Sequence, residues 1–117
     1  MSYRSDVAIS ISKNLEKRFD KLFQDNQITD YNKKHYKDGG IVYLFSSVKW
    51  YEDYQDIKAV MDLVNEICDK EQPEDESKAE SITFQRIGQD TSDYDEFSND
   101  YRFSLNFIRA FDTSEIK

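Results

Sequence analysis

Six apolar side chains, Ile57, Val60, Met61, Val64, Ile67 and Cys68, recur at i, i+3, i+4, i+7, i+10 and i+11. That spacing lines one face of an α-helix and no face of a strand. A one-sided stripe must be buried, so the rest of the chain has to supply an apolar surface to receive it. The spacing predicts a helix from Asp53, as N-cap, to about Lys70. A shorter stripe, Leu15, Phe19, Leu22 and Phe23, predicts an earlier helix capped by Ser12 and ending near Asn26.

The receiving surface is legible as strands. Val7, Ile9 and Ile11 alternate with Ala8, Ser10 and Ser12, the period-2 pattern of a half-buried strand. Asp38-Gly39-Gly40 before Ile41-Val42-Tyr43-Leu44-Phe45 is a hairpin signal. It predicts a polar edge strand at about 31–37, with a loop as the alternative, and a central strand at about 41–47. Ile82, Phe84 and Ile87 mark a further strand that stops at Gly88, and Tyr101, Phe103, Leu105, Phe107 and Phe111 mark a long last one. Residues 89–100 between these two read as an acidic loop closing a hairpin, and residues 71–80 as a solvated acidic loop. The order is β-α-β-β-α-β-β. Its first six elements match the ferredoxin-like β-α-β-β-α-β arrangement, with an extra C-terminal strand. The expected fold is α+β: two helices packed on one face of a mainly antiparallel sheet, in a single domain over residues 1–117.

Aliphatic residues are scarce, but eight Phe, eight Tyr and one Trp give much apolar area per residue, enough for a modest core. No run approaches the ~20 apolar residues of a membrane span, and the N-terminus lacks the apolar stretch of a signal peptide. One cysteine excludes an internal disulfide and fits a reducing compartment. A soluble, cytoplasmic protein is expected. Net charge is −8, with +3 on residues 1–50 and −11 on residues 51–117. The overall sign disfavours direct binding to nucleic-acid phosphates and suits a basic protein surface instead.

Catalytic and metal chemistries fit poorly. The lone histidine, His35, lies in a Lys-rich polar segment, and Cys68 lies on the apolar stripe, so no nucleophile–base pair is visible. One Cys and one His cannot supply a zinc site. Counting from Asp90 or Asp93, the sixth residue is Asp95 or Ser98 where a calcium loop of the EF-hand type needs Gly, and the closing Glu is missing. No glycine-rich nucleotide motif occurs. The chain is expected to be non-enzymatic and to need no cofactor and no metal.

Two clusters combine aromatics with acids. Trp50, Tyr51, Glu52, Asp53 and Asp56 gather around the start of the second helix. Their structural reading is closure of the core end and complementation of the helix dipole; their functional reading is an interaction patch, because Trp and Tyr anchor binding hot spots. Asp90, Asp93, Tyr94, Asp95, Glu96 and Asp100 repeat that chemistry with no base among residues 89–100. These eleven residues are the candidate partner-binding set.

Three phrases, Met1-Ser-Tyr-Arg-Ser-Asp-Val-Ala-Ile, Val48-Lys-Trp-Tyr-Glu-Asp-Tyr and Phe84-Gln-Arg-Ile-Gly-Gln-Asp, resemble small acidic accessory proteins of bacteriophages and mobile elements. They cover about a quarter of the chain and contain no catalytic motif, so no functional residue is transferred. The resemblance implies a context: many such proteins are accessory factors, and some block host defences by occupying nucleic-acid sites. The expected function is therefore a phage or mobile-element inhibitor whose acidic surface, able to mimic nucleic-acid charge, binds a host nucleic-acid-handling or defence protein. The alternative is a small assembly subunit, a homodimer for example, whose acidic charge serves solubility.

Overall fold

The computed structural model describes residues 3–37, 39–71, 78–90 and 92–99. Strand β1 (Ser5–Ile11) runs through a 3-10 turn (Lys13–Leu15) into helix α1 (Glu16–Asp25). Strands β2 (Asn32–His35) and β3 (Ile41–Val48) form a hairpin, helix α2 (Gln55–Asp69) follows, and strands β4 (Ile82–Gly88) and β5 (Tyr94–Ser98) form a second hairpin. The sheet has five strands in the order β2-β3-β1-β4-β5, and every neighbouring pair is antiparallel. The fold is α+β, with β1 central between β3 and β4.

Register explains where the core lies. Ile9 of β1 stands opposite Tyr43 of β3 and Phe84 of β4, and Val7 stands opposite Phe45. These residues share one sheet face because side chains alternate along a strand. Phe19 and Phe23 of α1 and Ile57, Val60, Val64 and Ile67 of α2 bury onto that face, so one core takes both helix stripes. Aromatic rings fill it: Phe23 lies 4.9 Å from Tyr43, and Phe45 lies 5.3 Å from Trp50. The other face carries a smaller cluster of Ala8, Tyr36 and Val42. Gly39, at φ +96°, supplies the left-handed turn between β2 and β3 that an L side chain rarely adopts.

A polar network ties α1 to the β2–β3 hairpin. Lys33 Nζ approaches Glu16 at 2.5 Å and Asp20 at 2.8 Å, while the Tyr43 hydroxyl donates to Asp20 at 2.7 Å. Burial, and then the bond to Asp20, hold the Tyr43 hydroxyl far above the usual phenol range, so it stays a donor.

Three expectations need correction. Residues 94–98 form β5 where a loop was predicted, because Phe97 pairs with Phe84 and Asp95 with Arg86 across the hairpin. Tyr54, in extended backbone, is the N-cap of α2 in place of Asp53. Ser12 precedes a 3-10 turn, and its hydroxyl meets Asn14 at 2.6 Å without capping a helix. The long strand predicted at 101–111 and most of the 71–80 loop lie outside the described residues.

Candidate functional site

Strand β1 begins, β3 ends, β4 ends and β5 begins at the same end of the sheet, since Ser5 faces both Val48 and Gly88 while Ile87 faces Tyr94. The segment Trp50–Asp53, which carries the chain from β3 to α2, lies beside that end. Between this segment and the β4–β5 hairpin opens a concavity of about 670 Å³. Trp50, Tyr51, Glu52 and Asp53 line one side of it and Arg86, Asp93 and Asp95 the other. Folding therefore joins two clusters that are forty residues apart in sequence.

Arg86 organises the hairpin side. Its Nη2 donates to Asp93 Oδ1 and to Asp95 Oδ2, both at 2.7 Å, its Nε donates to Asp95 Oδ2 at 2.9 Å, and its Nη1 donates to Ser5 Oγ at 3.0 Å. The Arg86 side chain is only 13% exposed. Its hydrogen bond to Asp93 leads in raising its pKa further. In return Arg86, followed by the Tyr3 hydroxyl, holds the Asp93 carboxyl down at about 2. Tyr3 donates to Asp93 Oδ2 at 2.6 Å and accepts from the Asp90 amide at 3.3 Å, and the Tyr51 hydroxyl donates to the Tyr3 carbonyl at 2.9 Å. The start of the chain thereby fastens the hairpin to the 50–53 segment.

Gly88 makes this possible. A Cβ there would collide with the Tyr3 hydroxyl and the Asp93 carboxylate. Sequence reasoning placed none of Tyr3, Ser5, Gly88 and Arg86 in the candidate partner-binding set. The one readable signal was Arg86 itself, a basic residue two positions before the turn of an acidic hairpin.

The remaining candidates fall elsewhere. Asp90 accepts from the Ser92 amide at 3.0 Å and hydroxyl at 2.8 Å, which lowers its pKa and shapes the turn. Tyr94 and Glu96 bond to each other, and Tyr94 accepts from Gln85 at 3.3 Å on the sheet face away from the helices. Asp56 accepts from the Ile57 amide at 2.8 Å and borders a neighbouring cleft. Asp100 lies outside the described residues. Trp50 is 8% exposed and wedged between Phe45 and Phe84, so it closes the core and only edges the concavity.

No group of three or more metal-ligating side chains occurs among the described residues. No helix among them is long and apolar enough to cross a membrane. No protein-family model, curated protein or solved structure matches the chain.

Proposed function

We propose that this chain is a non-enzymatic acidic binding protein, an inhibitor of phage or mobile-element type, whose concavity engages a basic surface on a host protein that handles nucleic acid. The observation that carries this reading is the charge imbalance at the concavity. Four carboxylates, Glu52, Asp53, Asp93 and Asp95, face one guanidinium there, leaving three negative charges. Arg86 is shared between Asp93 and Asp95, whereas Glu52 and Asp53 are exposed and form no ion pair among the described residues. A lysine or arginine from a partner finds two unpaired carboxylates beside the Tyr51 ring, a combination of charge and cation–π attraction. Carboxylates fixed in advance can imitate the charge of phosphates and steer association over a Debye length of ~8 Å.

The strand order β2-β3-β1-β4, with α1 and α2 each spanning a crossover, supports reading the architecture as ferredoxin-like with β5 added beyond β4. On that reading the helices cover one sheet face and leave the 50–53 end free for a partner.

The test is a pull-down from host lysate with salt-step elution, comparing the natural chain with the double variant Glu52→Lys/Asp53→Lys. A basic protein retained by the natural chain, released by moderate salt and lost from the variant supports the proposal. Equal retention by both removes the concavity from the interface.

One observation favours a second reading, a self-assembling subunit. Lys33 and Lys34 lie on outer strand β2, while Asp95 and Glu96 lie on β5, which is outermost on the opposite side among the described residues. Sedimentation would then show a discrete oligomer of the purified chain alone.

A further inference from the structure

We infer that a second cleft, on the far side of Trp50 from the acidic concavity, is a binding site for a small zwitterion, a molecule that carries a carboxylate and an ammonium a few bonds apart as a free amino acid does. The cleft measures about 370 Å³ and lies where the segment after α1, the end of β3 and the first turn of α2 meet. That volume falls in the range of small-molecule sites. Its floor is apolar, made by the buried side chains of Phe45, Trp50 and Ile57.

The rim decides the class of ligand. Arg4 and Lys49 contribute two positive charges, and Asp30 and Asp56 two negative ones. None of the four pairs with another charge among the described residues. A simple anion or cation would satisfy one sign and leave the other unmatched, whereas a zwitterion satisfies both. Arg4 already donates to the Ser47 carbonyl at 3.1 Å, which fixes its guanidinium and leaves further N–H groups to offer. One oxygen of Asp56 is held by the Ile57 amide at 2.8 Å, and the other remains to accept.

Two independent peculiarities converge on the same walls. The indole Nε1 of Trp50 is shut off from solvent without a hydrogen-bond partner. A buried donor in that state is costly, and a ligand acceptor entering the cleft that Trp50 lines would relieve it. Apart from Gln27, whose φ of +57° terminates α1, Ser47 at φ +53° is the non-glycine residue with positive φ among the described residues, and it lines this cleft. Backbone held in a sparsely populated conformation gathers where a binding geometry is fixed by its surroundings. This inference does not rest on the protein partner proposed above, so either can fail alone.

Trp50 is the sole tryptophan, so one indole N–H resonance reports on the cleft. The experiment titrates each of the common free amino acids, to millimolar concentration, into the ¹⁵N-labelled chain. The expected result is a saturable displacement of that resonance by at least one of them. Arg4→Gln and Asp56→Asn should each weaken it about tenfold, the loss of one charge-assisted hydrogen bond. Unchanged circular dichroism would show that both variants fold, and Lys49→Gln gives an exposed third position should either fail. A resonance that no amino acid moves overturns the proposal. So does equal displacement by acetate alone, which would make the cleft a simple anion site.

Discussion

Arg86 holds together residues that sequence reading had treated as a free acidic surface. Its two ion pairs and its bond to Ser5 knit the β4–β5 hairpin to the start of β1, and Tyr3 completes the knot through Asp93. A side chain at position 88 would displace the Tyr3 hydroxyl and the Asp93 carboxylate from their contact. Gly88→Ala should destabilise the domain by about 0.5–1.5 kcal/mol, because the Tyr3 hydroxyl and the Asp93 carboxylate must move apart and give up their hydrogen bond. Tyr3→Phe deletes one hydroxyl and keeps the ring, so thermal melts should show a smaller loss. In the double variant the two losses should not add, because both act on the Tyr3–Asp93 contact. The Arg86 pair with Asp93, followed by the Tyr3 hydrogen bond, sets a pH dependence. The Asp93 carboxyl titrates at about 2 in the fold against 3.8 in a free chain. Its stabilisation is therefore complete above pH 3.8 and is lost as pH falls toward 2. Urea melts over that interval should show a steeper decline for the natural chain than for Asp93→Asn, which has no proton to take up there.

Elements show how far local pattern reaches. Helix α2 was legible because its stripe is continuous and one-sided, and Ile57, Val60, Met61, Val64 and Ile67 are all buried. Ile67→Ala should accordingly cost about 2–5 kcal/mol in chemical denaturation, as deletion of a fully buried aliphatic side chain does. Strand β1 was legible from alternation, β4 from Ile82, Phe84 and Ile87, and the β2–β3 hairpin from Asp38-Gly39-Gly40 ahead of the apolar run 41–45. Strand β5 was not, since all five of its residues are exposed and its sequence, Tyr-Asp-Glu-Phe-Ser, has no apolar alternation. It is a strand because β4 presents a ladder to pair with and Arg86 sits opposite Asp95, a non-local cause that no window of sequence contains. The cap of α2 was misplaced by one residue for a related reason: Asp53 has the right chemistry, but the chain turns at Tyr54. The end of α1 carries a testable cost. Gln27 follows the C-cap Asn26 with φ +57°, the left-handed position that glycine commonly fills. Gln27→Gly should stabilise the domain by about 0.5–1 kcal/mol, visible as a raised melting temperature.

At the scale of the whole molecule, the uneven charge of the two sequence halves becomes an unevenness in space. Lys33 and Lys34 of the first half stand on the outer strand β2, α1 carries as many acids as bases, and acids of the second half gather at the 50–53 segment and the β4–β5 hairpin. The acids are not equivalent, however. Reversing Asp93 and Asp95 would strip Arg86, whose side chain is largely buried, of its partners, so lost binding in such a variant would be confounded with lost structure. Glu52 and Asp53 are exposed and structurally idle among the described residues, as is Lys34 on β2. Glu52→Lys/Asp53→Lys and Lys34→Glu should both leave the melting temperature nearly unchanged, because exposed charges are typically worth no more than about 1 kcal/mol. Their effects on association should then diverge. With a partner identified by the pull-down, the acidic-end variant should lose affinity and most of its salt dependence, while Lys34→Glu should bind as the natural chain does. The opposite division, with Lys34→Glu defective and the acidic-end variant intact, would move the interface to the β2 edge and make the acidic end a solubilising surface.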